Sequence, residues 1–335
     1  MSKSLSIITV TLNTASDRVL QADNFTVGSH TRATQLLRYP AGKGINVSRT
    51  LARLGWMSVA TGFVGQQHAD EFEQSLRDAE PGSIRNQLLT VPGSTRENIT
   101  IIDTANNSDT HIRTEGYTIN SHNLGRITTK IGLLARPESI LVFSGSLPEG
   151  IDLADFYTLV NIAFSAGSRV ILDIDGHALR HILNIDSSQS SPSQPAQKIC
   201  YMAKPNQQEL ADLLNLPSFN TFDEILNAAR LLATRVEWVV VTLGSDGAIL
   251  IDPQGNAYKG HVDINPDQII NTVGCGDTML AGLIDAQMRN LPADQLLRSA
   301  LAIATANAAQ IGVAEYDLSQ VQSLVEETII TPIAS

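Results

Sequence analysis

Residues 271–284 read NTVGCGDTMLAGLI, a glycine-bracketed turn running straight into an apolar helical stretch. Gly274 and Gly276 precede a lone carboxylate, Asp277, at the mouth of that helix. A helix start presents unpaired backbone N–H groups and the positive end of its dipole. Glycines there let the main chain close on an anion. The turn 272–276 is therefore a candidate phosphate cradle, and Asp277 beside it a candidate proton acceptor for an attacking hydroxyl. The plainer alternative is a capped helix with an acid in its first turn, in which Cys275 is a small packing residue.

A second glycine turn, PAGKGINVSR at 40–49, also feeds a helix. It is not a phosphate-binding P-loop, because Gly44 rather than Ser or Thr follows Lys43; it is not a dinucleotide fingerprint either, because the last glycine is missing. What remains is Lys43 between two glycines, suited to an anionic group, with Asn46 one turn on. Asparagine can read hydroxyls as donor and as acceptor. A solvated lysine is the alternative.

Outward from these turns, apolar β-branched runs alternate with helical periods. Strands are expected at Leu5–Leu12, Ser58–Val64, Ile140–Phe143, Arg169–Asp173, Ile199–Ala203 and Trp238–Leu243. Helical faces fall at Val47, Leu51 and Leu54, at Phe156, Val160 and Phe164, and at Ile225, Ala228, Leu231 and Leu232; two long helices follow near Thr278–Asn290 and Ala293–Gln310. This alternation predicts an α/β fold, a largely parallel sheet with helices on both faces and ligands beyond the carboxyl ends of its strands. Phe25–Tyr39 and Ile99–Ile119 break the rhythm: they read as a small separate sheet joined near Gly42 and Gly93, or as surface loops. SSQSSPSQPAQ at 187–197 reads as a flexible surface insertion.

The whole chain has 335 residues, 43% hydrophobic and 17% charged, with a formal net charge of −11. No apolar run approaches the ~20 residues that span a bilayer, and no basic block suits nucleic acid, so neither partner is expected. MSKSLSIITVTL reads as a first strand rather than a signal peptide. Cys200 and Cys275 lie in unlike contexts, which speaks against a disulfide framework or zinc site and for a reducing cytoplasm.

Taken together, VTLNTASDR, PAGKGINVSRTLARLG, STRENITI, FSGSLPEG, AKPNQQEL, VTLGSDGAIL and NTVGCGDTMLAGL, in this order, resemble the PfkB-type carbohydrate kinases of the ribokinase-like superfamily, in their phosphosugar-kinase branch. The resemblance covers nearly the whole chain. It implies a single three-layer α/β/α sandwich over 1–335 with a small β-sheet lid from about 12–41 and 93–120, and a homodimer formed through that lid. It implies transfer of the γ-phosphoryl of ATP, with Mg²⁺, to a sugar hydroxyl. By position it makes Asp277 the base and Gly274, Cys275 and Gly276 the anion hole. Asp17, Gly42, Lys43, Asn46, Arg96 and Ser146 become acceptor contacts. Lys204, Asn206, Thr242, Gly244, Gly247 and Asn307 fall on the nucleotide side, with Asn206 and Glu209 ordering Mg²⁺ mostly through water.

Lys43 and Arg96 together supply cations that a neutral sugar does not need, so the acceptor is expected to carry a phosphate already. The A-G-K-G turn looks most like 1-phosphofructokinases, giving fructose 1-phosphate as the expected substrate, with tagatose 6-phosphate or fructose 6-phosphate as alternatives. A non-catalytic sugar-phosphate sensor is the competing class, disfavoured by the retained acid at 277. Three positions depart from the family pattern. Thr14 replaces a proline and is expected to loosen its turn, Cys275 replaces an alanine, and Asp175 stands where a small hydroxyl residue is common.

Overall fold

The computed structural model describes residues 6–106, 108–185, 198 and 200–334; the insertion at 187–197 lies outside them. In chain order the strands are β1 (Ser6–Thr11), β2 (Ala15–Gln21), β3 (Thr34–Ala41), β4 (Ser58–Gly65), β5 (Ile84–Val91), β6 (Arg96–Asp103) and β7 (Ser108–Arg113). They continue with β8 (Ser139–Ser144), β9 (Arg169–Asp173), β10 (Cys200–Ala203), β11 (Val236–Thr242), β12 (Ala248–Ile251), β13 (Ala257–Val262) and β14 (Thr328–Ile333).

Among the described residues ten of these strands form one sheet in the order β14-β13-β12-β11-β10-β9-β8-β1-β4-β5. The pairings from β5 across to β11 are parallel, and β12, β13 and β14 are added antiparallel. Alternation along β1 shows why helices cover both faces. Ile8 and Val10 pack with Phe156, Leu159 and Leu179 of helices Leu153–Ser165 and Gly176–Leu183. Ile7 packs with Val47 and Leu51 of helix Lys43–Arg53 and with Leu280, Leu283 and Leu297 of helices Cys275–Met288 and Ala293–Ala308. Successive side chains on a strand point to opposite faces, so one apolar run feeds two cores. The expected three layers are thus present.

β2, β3, β6 and β7 form a separate sheet ordered β3-β2-β6-β7, with β2 and β6 parallel. This is the lid. It enters the chain twice, after β1 and after β5, which resolves the two irregular regions in favour of strands; within Phe25–Tyr39 only the part from Thr34 on is extended in the sheet. The proline lost at position 14 does not loosen the turn. The Thr14 N–H, which proline lacks, donates to the Tyr117 hydroxyl at 2.9 Å, and Thr14 Oγ1 donates to the Phe63 carbonyl at 2.8 Å. Among the described residues no helix is long and apolar enough to cross a membrane.

The chain leaves β1 toward one edge of the sheet and returns through β8 toward the other, so the strand order reverses between them. Crevices at the carboxyl ends of strands flanking such a reversal are where ligands sit in α/β folds.

Candidate active site

The expected residues gather there. Gly145–Ser146 follows β8, Asp173 ends β9, Lys204 follows β10, and Thr242 ends β11. Asp277 approaches from helix Cys275–Met288, whose N-cap, Gly274, has φ 76° and ψ −2°. A Cβ at Gly274 would sit 2.7 Å from the Val313 side chain, so both conformation and space demand glycine.

Asp277 is 5% exposed and accepts a 2.8 Å hydrogen bond from Asn46 Nδ2. Burial pushes its carboxyl up to about 7 and the charge of Asp173 adds to that, while Lys43, the Asn46 bond and Lys204 act against it. A carboxylate tuned near neutrality can take a proton from an alcohol and release it again. Lys204 Nζ lies 3.4 Å from where a Cβ at Gly276 would be, so its ammonium stands beside the turn 274–276.

Asp173 organises the cations. Its carboxylate is 3.0 Å from Lys204 Nζ and 3.7 Å from Lys43 Nζ, and it accepts from Ser144 Oγ at 2.8 Å. Burial alone would raise its pKa, but Lys204 and Lys43 hold it below the usual carboxylate range. Lys43 is also 3.7 Å from Glu209, and Asp173 is the largest of the charges that raise its pKa. Asn206 caps helix Gln207–Leu213 with Glu209 in a reciprocal capping box. The turn after β11 stays on this side, with Thr242 bridged to Asn206 and Gly244 exposed in open space.

The structure separates two cations that the sequence reading joined. Lys43 stands with Asp173, Glu209 and Asp277, whereas Arg96 belongs to a lid group around Asp17. Asp17 accepts from Asn98 Nδ2 at 2.7 Å; burial raises its pKa against that bond and the charges of Arg96, Arg49 and Arg113. Asp17, Tyr39, Asn98 and Arg113 line a cleft of about 800 Å³ between the lid and residues 269–273. Ser146 accepts from Asn13 Nδ2 at 3.1 Å, next to Gly145, where a Cβ would lie 3.8 Å from the Lys43 side chain.

Asn307, expected on the adenine side, has its side chain engaged within the protein. It is buried, donates through Nδ2 to the Val273 carbonyl at 3.2 Å and accepts the Ala314 N–H at 2.8 Å, so it braces the turn 272–276. Asp175 caps helix Gly176–Leu183 by accepting the Ala178 N–H at 2.9 Å, which explains that departure without any role in chemistry. Burial pushes the Cys275 thiol up to about 11, so it stays a protonated packing group. The residues that motif reading passed over are Asp173, Asn98, Arg49 and Tyr39; Asp173 carried a signal, as the acid ending an apolar strand at the sheet's ligand edge.

Among the described residues no group of three or more His, Cys, Asp or Glu side chains could enclose a metal. The donors offered are two carboxylates, Asp173 and Glu209. A hard ion that keeps most of its waters and leans on substrate phosphates fits such a sparse set.

Residues 7–320 match the model of the pfkB family carbohydrate kinases. The chain is 31% identical to a tagatose-6-phosphate kinase of Staphylococcus epidermidis, covering 90% of this chain and 92% of that one. It is 28% identical to a 1-phosphofructokinase of Bacillus subtilis, over 97% and 99%. Its fold is similar to phosphofructokinase-2 from Escherichia coli in complex with potassium, with a TM-score of 0.84, 25% identity and coverage of 96% and 98%. A ribokinase-like body with an acid at a glycine-rich helix start is the frame of a phosphotransferase with an alcohol group as acceptor. The chain belongs to the pfkB family of carbohydrate kinases, with ATP as the phosphoryl donor.

Proposed function

We propose that the enzyme phosphorylates a ketohexose phosphate, foremost fructose 1-phosphate at its 6-hydroxyl, giving fructose 1,6-bisphosphate. One observation supports an acceptor that is already anionic: Arg96, Arg49 and Arg113 all act on a single acid, Asp17, so guanidinium groups outnumber the one carboxylate they share. Among the described residues the Nε atoms of Arg96 and Arg49 are buried without a partner, as are Asn98 Oδ1 and Asn46 Oδ1. Buried polar atoms are seldom left so, and a hydroxylated anion would complete those that face the cleft. The A-G-K-G turn and the Bacillus relative favour fructose 1-phosphate. The Staphylococcus relative favours the second reading, tagatose 6-phosphate, with fructose 6-phosphate beside it, phosphorylated at the 1-hydroxyl. A sensor without chemistry would have no use for a buried acid poised near neutrality.

In this reading Arg96, with Arg113 and Ser146, holds the existing phosphate, and Asp17 and Asn98 orient hydroxyls. Asp277 takes the proton of the attacking alcohol. The amides of 274–276, with Lys43 and Lys204, receive charge on the transferring group. Mg²⁺ held through water by Asn206, Glu209 and Asp173 would neutralise the donor phosphates. Thr242, Gly244 and Gly247 form the nucleotide-side turn, and the lid excludes water as it closes. Leu36 and Ile112 are exposed on the lid, and two copies meeting there would form a homodimer; a monomer by light scattering at assay concentration would remove that element.

ADP release measured across free and phosphorylated ketoses tests the reading. Release is expected with phosphorylated ketoses and highest with fructose 1-phosphate. Turnover of free sugars alone would overturn the phosphate requirement. The separation of the two cations has its own signature. Arg96→Ala should raise the KM for the phosphosugar about tenfold or more, whereas Lys43→Ala should lower kcat by a similar factor with little change in that KM. The reverse pattern would return Lys43 to the acceptor phosphate.

A further inference from the structure

We propose that Tyr39 determines specificity in the acceptor site, its phenol reading the ring hydroxyls of the ketose while Arg49 holds the ring in place; this rests on the ketose-phosphate function above. Tyr39 sits in β3 directly across the antiparallel pair from Asp17, and both line the cleft. Its phenol lies in the field of Asp17 on the lid and also of Asp277 on the body. Both the acid assigned to orient hydroxyls and the acid assigned to receive the proton therefore lie within reach of its field, and the phenol shares the cleft wall with the first of them.

Burial, reinforced chiefly by the charge of Asp17, raises the phenol's pKa above its ordinary value. The group stays a neutral O–H donor at every pH at which the enzyme works. Among the described residues it makes no hydrogen bond. The ring itself is set by Arg49, whose guanidinium lies 5.6 Å from its centroid and is tied on the far side by a hydrogen bond to Ser75 Oγ. A fixed ring thus carries a free donor into a cleft built for a polyol.

Such a donor discriminates. Fructose and tagatose phosphates differ in the configuration of one ring hydroxyl, and a site built to bond a hydroxyl strongly disfavours the epimer that leaves the site's donor unpaired. Arg49 touches no substrate in this scheme and is a positioning residue.

The test is steady-state kinetics of the parent, Tyr39→Phe and Arg49→Met with fructose 1-phosphate, fructose 6-phosphate and tagatose 6-phosphate. The phenylalanine variant keeps the ring and its packing. Its kcat/KM for the preferred ketose should fall about 10- to 100-fold, with the KM for ATP unchanged. The ratio between fructose 6-phosphate and tagatose 6-phosphate should shrink, and Arg49→Met should shrink it in the same direction. An active parent whose Tyr39→Phe variant keeps both the rate and the epimer ratio overturns the role of Tyr39 alone. A parent that turns over none of the three overturns the ketose-phosphate function, and this inference with it.

Discussion

The Asp277→Asn variant is expected to turn over about 10²–10⁴-fold more slowly than the parent while binding ATP nearly as well. The amide keeps the shape and can still accept from Asn46, but it cannot take the alcohol's proton. In the parent, kcat/KM should rise with pH through about 7, as the Asp277 carboxyl ionises, and then level. Stability should move oppositely. The folded pKa, about 7, lies above the ordinary aspartate value of 3.8, so between those limits the native state binds more protons than the unfolded chain. Stability contributed by the neutral acid is present at low pH and is lost as pH rises toward 7. Asp277→Asn, neutral throughout, should therefore melt higher than the parent at pH 8 and with it at pH 4. A slow variant with no such gain would mean the acid is not held protonated by its surroundings; turnover within tenfold of the parent would remove Asp277 from proton transfer.

Asp173→Asn should be the most damaging single change to the fold among the site residues. The carboxylate is fully buried beside Lys204, itself 4% exposed, and within 3.7 Å of Lys43. Neutralising it leaves a buried ammonium without its counter-charge, at a cost of about 3–5 kcal/mol. Denaturant unfolding should show that loss as a lower midpoint with little change in slope. A second effect follows at the active site. Without the Asp173 charge, the Asp277 carboxyl loses one of the two influences that raise it, so the rise of the pH–rate profile should move to lower pH. A midpoint equal to the parent's would show that Lys204 finds another partner.

Sequence reading reached the parallel sheet because its strands are short, β-branched and buried on both faces, as in VILD and VVVT. It missed β5, an edge strand with half-exposed positions, and β12 to β14, which are added antiparallel; β12 is a short AILI, and β14 reads TIITPI, with Pro332 in its midst. The lid was visible only as a break in rhythm, since β7 is exposed along its whole length and carries no core-facing stripe. At the site, motif spacing located Asp277, Asn46, Lys204 and Glu209, because local turns place them. It could not show that Lys43 swings toward Asp173 rather than Arg96, or that Asn307 faces inward. Those outcomes depend on which loops meet across hundreds of residues, as Asn46 and Asp277 do.

The clasp that Asn307 makes between Val273 and Ala314, with Val313 seated on Gly274, fastens the turn proposed to receive the transferring group to the protein interior. Its amides hold their directions before either reactant arrives, so no part of the sugar's affinity is diverted into shaping them. Selectivity and rate can then drift apart over time: the lid is free to be rebuilt for a new sugar while the receiving end of the reaction stays as it was.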